Sequence, residues 1–276
     1  MSRRAFLAVF ALLVVATSIA CGGDPQAAAQ ARIKRLRAKD VFTAAPDVKL
    51  AEAVALGDRI AIEAAINAGA NVNARGDKGM PMLMWAMGKD SVAGFEELLE
   101  HGADLKALAH DPGLSRNGER TEQVIERVVQ SPKSEFLRTA LKHGFDPDYV
   151  PDPRMNESLL FHTVWSHAIP NARILLEAGA DINHIDSNKR PPIDLAMGIR
   201  YYEMVFFLLS SGADPCIKTN GYDLAGMMKE FGTRGVTEKE YPHFLNVVAE
   251  LKKRGLITDE DIKQADNKKP FSDPQL

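Results

Sequence analysis

Three aspartates within residues 146–152 are the side chains best suited to hold a metal ion. Asp146, Asp148 and Asp152 present carboxylate oxygens, which are the ligands that calcium prefers in proteins. The glycine and the bidentate glutamate that complete an EF-hand loop are missing from the positions that follow. The segment therefore predicts an acidic loop without a metal, and no other pattern in the chain predicts a cofactor.

Catalytic patterns are also missing from the sequence. His162 and His167 are five residues apart, so they would not share one face of a helix. The chain contains no His-Glu-x-x-His motif, no phosphate-binding glycine loop and no Gly-x-Ser-x-Gly motif. The sequence therefore predicts a protein that is not an enzyme, and a hydrolase without a recognisable motif stays as an alternative.

The chain has only two cysteines, Cys21 and Cys216. Two thiols exclude a disulfide framework and a zinc site with four thiolate ligands. Cys216 follows Asp214 and Pro215, and because free cysteines are usually buried we predict an inert, buried thiol there.

Charge is distributed unevenly along the 276 residues. The whole chain has a net charge of −3, from 34 basic and 37 acidic residues, and 45% of its residues are apolar. Seven basic and two acidic residues fall within positions 1–40, which leaves a net charge of −8 on the rest. This composition excludes a strongly basic nucleic-acid-binding protein and a disordered chain, and it is typical of a globular protein.

Residues 1–20 have the pattern of a secretory signal. Arg3 and Arg4 precede an apolar run over 5–20, which is shorter than the roughly 20 residues that a membrane-spanning helix needs. The run ends in Ser18-Ile19-Ala20-Cys21, which resembles the bacterial lipobox except that Ser18 replaces the usual leucine. The resemblance implies acylation of Cys21, a lipid anchor and a tether over residues 21–44. An uncleaved signal anchor is the alternative.

The leader also indicates how the protein is exported and in which membrane it is anchored. Residues 2–7, Ser-Arg-Arg-Ala-Phe-Leu, resemble the twin-arginine export motif, and both that route and the general one stay open. Gly22 follows the cysteine where aspartate would retain a lipoprotein at the inner membrane. We therefore expect a periplasmic protein anchored to the outer membrane, with the inner membrane as the alternative.

A phrase of the type Leu-x-x-Gly-Ala-Asp recurs along the rest of the chain. Its glycines are spaced by 33, 42, 35, 33 and 43 residues, and they are Gly69, Gly102, Gly144, Gly179, Gly212 and a weaker Gly255. Each glycine is predicted to stop an apolar helix by adopting a left-handed conformation. The phrase and the 33-residue spacing resemble the ankyrin repeat. The resemblance implies an all-α solenoid of about six helix-turn-helix units with hairpin fingers over 45–257, followed by a polar tail over 258–276.

Two segments match the start of an ankyrin helix pair, and the insertions fall elsewhere. Residues 79–86 and 189–196 occupy the place of the phrase Gly-x-Thr-Pro-Leu-His-x-Ala, and the small Ala86 and Ala196 are predicted to let the paired helices approach closely. The second finger is longer than the others by about nine residues. Insertions in solenoids map to loops, often on the binding side.

Recognition is the function that the repeat resemblance implies. In ankyrin proteins the fingers and the first helix of each unit form the exposed face, and the corresponding positions here are predicted to bind a partner: Asp77, Lys78, Lys89, Glu119, Arg120, Arg154, Glu157, Trp165, Asn188, Arg190 and Tyr222. Trp165 is the predicted hot spot, and the alternative is that it packs between helices as Trp85 does. Basic residues on the fingers of an acidic body indicate an acidic patch on the partner.

The partner prediction depends on a further resemblance. The phrase GMPMLMWAMGKDSVAGFEELLEHGAD over 79–104 resembles immunity proteins encoded beside type VI secretion lipase effectors. The resemblance implies a lipoprotein that neutralises a secreted effector toxin. We also expect a monomer that does not bind nucleic acid. The alternative is an envelope scaffold that supports an oxidative-stress enzyme such as catalase.

Overall fold

A computed structural model describes residues 33–110, 121–231, 233 and 236–267. The predicted leader with Cys21 lies outside these residues, as do Glu119 and Arg120 of the second finger. The chain forms two compact units, the first ending at Phe145 and the second beginning at Asp146. Among the described residues, no helix is both long enough and apolar enough to span a bilayer.

The first unit is built from pairs of short antiparallel helices. Its helices are α1 (Ala45–Leu56), α2 (Arg59–Asn67), α3 (Met82–Gly88), α4 (Val92–Glu100), α5 (Val124–Gln130) and α6 (Glu135–Lys142). Strands β1 (Leu108–His110) and β2 (Thr121–Gln123) pair antiparallel, with Leu108 opposite Gln123. The strands flank the long insertion in the second finger, where the sequence had predicted only a loop.

The second unit continues the same pattern and adds helices at its end. Its helices are α7 (Leu159–Trp165), α8 (Ile169–Glu177), α9 (Pro192–Gly198), α10 (Tyr202–Ser210), α11 (Leu224–Phe231), α12 (Tyr241–Lys253) and α13 (Asp259–Asn267). The predicted all-α ankyrin solenoid architecture is therefore confirmed, apart from the small β-hairpin in the first unit.

The recurring phrase ends each outer helix as predicted. Gly102 has φ 81° and Gly179 has φ 94°, and the glycines of the other copies also have positive φ. The next residue then donates its N–H to a carbonyl in the last helical turn, from Ala103 to Leu98 at 2.9 Å and from Ala180 to Leu175 at 3.0 Å. This is the bonding of a Schellman cap, which a residue with a Cβ adopts only at a cost.

The aspartate of the phrase shapes the finger that follows. Asp181 Oδ1 accepts the N–H of Asn183 at 2.9 Å, and the same local turn is made in four other fingers, with Asn71 in place of the aspartate in the first. The side chain of Asn183 then accepts the N–H of Asp214 in the next finger at 2.9 Å, as Asn73 does for Asp104 at 2.8 Å. Neighbouring fingers within a unit are thus joined by side-chain acceptors at a repeated position.

Small and aromatic side chains fill the cores. Ala86 and Ala196 are fully buried, in agreement with the predicted close approach of paired helices. Trp85 is buried, and its indole N–H donates to the carbonyl of Ala51 at 2.8 Å. Phe42 packs edge-on against Trp85 with 5.8 Å between ring centroids. Phe42 lies in the segment predicted as a tether, so the last part of that segment belongs to the first core.

The end of the second unit is also more ordered than the sequence patterns suggested. Helix α13 lies inside the segment predicted as a polar tail, and it packs against α11. Thr258 and Asp261 form a reciprocal cap at its start, with Thr258 N donating to Asp261 Oδ2 at 2.8 Å. Ala265 is fully buried. The Thr-x-x-Asp pattern is a sequence signal from which this helix could have been predicted.

Candidate partner-binding fingers

Three neighbouring fingers of the second unit, residues 148–157, 181–190 and 214–223, form the candidate site. Ser187 N donates to the carbonyl of Met155 at 2.9 Å, which joins the first finger to the second. The hydroxyl oxygen of Thr219 lies 3.1 Å from the carbonyl of Lys189, which joins the second to the third. A backbone hydrogen bond therefore joins the first two tips, and the side chain of Thr219 brings the third finger against the second.

Arg190 is turned into the finger base and away from the surface. Its guanidinium forms two bonds to Asp186 Oδ2, at 2.9 Å and 2.8 Å, and it lies 3.5 Å from a carboxylate oxygen of Glu157. The side chain of Asp186 has no exposed surface and that of Arg190 is 21% exposed. The predicted positive charge at this position therefore neutralises two buried carboxylates, and its charge is largely withdrawn from a partner.

Trp165 is neither fully exposed, as a hot-spot residue would be, nor fully buried between helices. It is half-buried, whereas Trp85 is fully buried, and its indole N–H donates to Glu157 Oε2 at 3.1 Å. Burial raises the pKa of Glu157, and the bond from Trp165 and the charge of Arg190 oppose that rise. Glu157 thus links α7 to the next finger and is buried beneath the tips.

A second buried carboxylate, missed by the sequence analysis, lies under the third finger. Asp194 is 5% exposed, and the hydroxyl of Thr219 donates to its Oδ2. Burial raises the pKa of Asp194 to about 6, and the Thr219 bond lowers it only in part. Its neighbours in the sequence, Ile193 and Leu195, are also buried, so it sits in an apolar stretch where an aspartate is unexpected.

The tips carry the exposed groups of the site. Arg154 is 88% exposed and forks onto Asp152 at 3.0 Å and 2.8 Å. Met155 and Tyr222 are each about half exposed, and Asn188 is exposed. Lys189, which was not predicted as a site residue, occupies the second tip with a left-handed φ of 63° and an exposed side chain.

The predicted residues of the first unit fall into two groups. Asp77 and Lys78 are exposed at a finger tip, and Asp77 N donates to the carbonyl of Val41 at 2.7 Å. Lys89 is half-buried, donates to the carbonyls of Lys34 at 3.0 Å and of Leu36 at 2.5 Å, and lies 4.4 Å from the centroid of the Trp85 ring. Burial lowers the pKa of Lys89. Lys89 therefore holds the segment that leads into the first helix pair.

Comparison with solved structures decides the fold. An ankyrin repeat domain from Acinetobacter baumannii AYE, solved at 1.00 Å resolution, superposes with a TM-score of 0.53. The superposition covers 73% of this chain and 96% of that chain, at 21% sequence identity. This is an ankyrin-repeat fold. No family model matches the chain, and no curated protein matches it.

The three aspartates of the first ankyrin finger in the second unit are used within the fold. Asp146 Oδ1 accepts the N–H of Asp148 at 2.9 Å, and Asp148 Oδ1 accepts that of Asp181 at 2.7 Å. Asp152 is paired with Arg154. These carboxylates shape the finger and connect it to the next one.

One other cluster of acidic and histidine side chains occurs in the described part of the ankyrin fold. Potential ligand atoms of Glu96, Glu100 and His143 lie within 4.8 Å of one another. Lys142 Nζ lies 2.6 Å from Glu96, and Arg59 Nη2 lies 3.2 Å from Glu100. Side-chain cations already neutralise this cluster.

The prediction for Cys216 was wrong, because its side chain is exposed. Its N–H is bound by Asp214 Oδ1 at 2.8 Å, which places it four residues after Gly212 in the ankyrin finger. Asn73 and Asn183 occupy the same position in other fingers. Asn73 is also exposed and Asn183 is half-buried, so the exposure of the thiol agrees with its position in the repeat.

Proposed function

We propose that this protein binds another protein through the tips of fingers 148–157, 181–190 and 214–223. The observation that carries the proposal is the row of exposed side chains on three fingers joined by hydrogen bonds. Met155 and Tyr222 supply apolar and aromatic contact area at its two ends, and Lys189 lies on the tip between them. Tyrosine with neighbouring cations is a common composition of protein interfaces.

The partner surface is expected to be acidic. Among the described residues, no carboxylate lies within ion-pair distance of Lys189, and the same holds for Lys218 in the third finger. Both side chains are exposed, and they stand on a body whose net charge over residues 41–276 is −8. A local cationic row on an acidic body attracts an acidic segment and repels basic proteins.

We further propose that the protein is a lipoprotein of the bacterial envelope, anchored through Cys21, and that it neutralises a type VI secretion lipase effector. The lipobox resemblance of residues 18–21 and the immunity-protein resemblance of residues 79–104 support this assignment. A periplasmic monomer at the outer membrane would meet an incoming lipase where its phospholipid substrate lies. Steric occlusion by an ankyrin surface needs no catalytic group.

A capture experiment with the full chain tests the partner. The bait is incubated with the purified lipase encoded by a neighbouring gene, and both the complex and the phospholipase activity are measured. Complex formation with loss of lipase activity is the expected result. Capture without inhibition, or no capture, contradicts the immunity assignment. Binding of a purified catalase in a parallel incubation supports the scaffold alternative.

Charge reversal at the tips tests the site. Lys189→Glu combined with Lys218→Glu is expected to weaken capture by at least about tenfold, because two attractive pairs become repulsive. The measurement is the dissociation constant from surface plasmon resonance, with circular dichroism to verify the fold. Lys49→Glu, at an exposed lysine of α1, is the matched control and should leave the affinity unchanged. Equal affinities for both variants would exclude the tips.

A further inference from the structure

Two fully solvated aliphatic side chains flank one turn of the first unit. Leu56, the last residue of α1, is 83% exposed, and Ile60, in the first turn of α2, is 82% exposed. The other large apolar side chains of the described residues are at most about half exposed. Leu56 and Ile60 therefore present exposed apolar surface on either side of the turn at Gly57 and Asp58.

Neighbouring turns place basic residues on the same edge. A Cβ built on Gly57 would lie 3.4 Å from Ser91 Oγ and 3.2 Å from the Cβ of Ala93. The residue before Ser91 is Asp90, whose Oδ2 lies 3.9 Å from Nζ of Lys34. The turn of the first helix pair, the turn of the second pair and the segment beginning at residue 33 thus lie side by side.

The segment that begins at residue 33 carries more cations than carboxylates, with Asp40 as its single acidic residue before α1. Lys34 and Lys133 share the single carboxylate of Asp90, with Lys133 Nζ at 2.8 Å. Arg59 is paired with Glu97 and Glu100, Arg37 is paired with Asp40, and Asp58 caps α2 by accepting the N–H of Ala61 at 3.1 Å. Within the part of the chain that the structure describes, no ion pair neutralises the exposed Arg35 or Lys39.

We propose that this edge, defined by Lys34, Arg35, Leu56 and Ile60, contacts the surface of an anionic lipid bilayer. The proposal rests on the proposed membrane attachment of the N-terminal segment. Aliphatic side chains flanked by cations match the boundary between acyl chains and anionic headgroups.

Chain length supports a bilayer as the occupant of this surface. Ile33 lies twelve positions after Cys21, and a chain of that length spans at most about 40 Å. The edge therefore stays close to any bilayer that holds the cysteine. Tethering also raises the effective concentration of the edge at the bilayer, so a contact too weak to recruit a free protein is still occupied. The contact would orient the repeats and add little to the anchor itself.

Fluorescence of a site-specific label tests the contact in the full chain. Ile60→Cys and, as control, Leu245→Cys are made in a Cys216→Ser background and labelled with an NBD maleimide after reconstitution into vesicles. The vesicles contain either phosphatidylethanolamine with phosphatidylglycerol or phosphatidylcholine alone. The Cys216→Ser background without a new cysteine measures any label on Cys21, and its signal is subtracted.

The expected result is a blue shift of the label at position 60 and loss of most of its emission to doxyl-labelled lipids in the anionic vesicles. The label at position 245 should behave as in water, and Arg35→Glu with Lys39→Glu should reduce the quenching at position 60. Equal solvent exposure of both labels in anionic vesicles would overturn the proposal. The proposal would also be overturned if the label at position 60 were shielded from water only on addition of the captured partner protein, in the absence of lipid.

The proposed partner binding is tested separately from this contact. Capture of a partner depends on Lys189 and Lys218, and the lipid readout depends on residues of the first unit. If Cys21 is not acylated, an uncleaved apolar leader still brings the chain to the vesicle, so the label reports on the edge in either case. Loss of capture with a shielded label would therefore contradict only the proposed function.

Discussion

At the scale of single residues, two arginines that look equivalent in the sequence have different roles. Arg154 extends into solvent and pairs locally with Asp152, whereas Arg190 is held by Asp186 and Glu157 at the base of its finger. Both follow an aspartate at short range, two residues on for Arg154 and four for Arg190. With the four-residue spacing, the bonds between Asp186 and Arg190 bridge the whole tip of the finger. These two residues are therefore expected to stabilise the fold.

Removing Arg190 is therefore expected to destabilise the second unit. Arg190→Ala would leave Asp186 and Glu157 without their cation, and breaking a buried pair in this way costs about 3 kcal/mol of unfolding free energy. Urea denaturation followed by circular dichroism measures the loss. The adjacent Lys189→Ala is the control and should not move the midpoint, because that side chain is exposed. A midpoint for Arg190→Ala equal to that of the wild type would contradict this role.

Asp194 is expected to make stability depend on pH. Its pKa in the fold is about 6, and that of an unfolded aspartate is about 3.9. Because the folded pKa is raised, ionisation disfavours the fold: the penalty is absent below about pH 4, grows as pH rises and is complete above about pH 6. Two pKa units correspond to about 3 kcal/mol.

Asp194→Asn removes this penalty and keeps an acceptor for Thr219. The variant should gain stability over the wild type at pH 7 and show little difference at pH 4. Urea midpoints at the two pH values provide the measurement. The exposed Asp214 stays unchanged in the variant, so only the buried carboxylate is removed. A gain of the same size at both pH values would show that the effect does not come from ionisation.

At the scale of the repeated element, the finger is built from a short set of bonds that the phrase Gly-Ala-Asp encodes. The glycine stops the helix, the aspartate closes the turn, and the residue two positions later accepts an N–H from the next finger. The sequence predicts the helix stop at the glycine, because a left-handed backbone conformation needs no partner elsewhere in the chain. The acceptor role of Asn73 and Asn183 is a contact between repeats, so it becomes visible only when the repeats are stacked.

The inter-finger acceptor is open to a direct test. Asn183→Ala removes the acceptor of the Asp214 N–H, and loss of this exposed hydrogen bond is expected to cost about 1 kcal/mol of unfolding free energy. Cys216→Ala, at the same position of the next finger, is the matched control and should be close to neutral. Amide hydrogen exchange at Asp214 would show whether the loss is local. Unchanged protection of that amide would contradict the assigned bond.

At the scale of the whole molecule, the ends of the repeat region differ most from the sequence-based boundaries. Phe42 was placed in a tether and α13 in a polar tail, yet Phe42 is buried against Trp85 and α13 packs on α11. Neither segment carries the repeat phrase, so periodicity could not include it. The end segments cover apolar surface that an interior repeat would give to its neighbour.

Local chemistry accounts for what the sequence determined by itself. The helix stops, the fingers, the helix pairs and the ankyrin-repeat fold follow from glycine conformation, aspartate turns and apolar spacing, all of which act over a few residues. The tertiary structure alone decided that Arg190 and Glu157 lie beneath the tips, that Lys189 stands on the surface, and that Cys216 is exposed. The burial of each of these side chains depends on its contacts with a neighbouring repeat. Residues of neighbouring repeats are some thirty positions apart in the chain, so local sequence does not reveal those contacts.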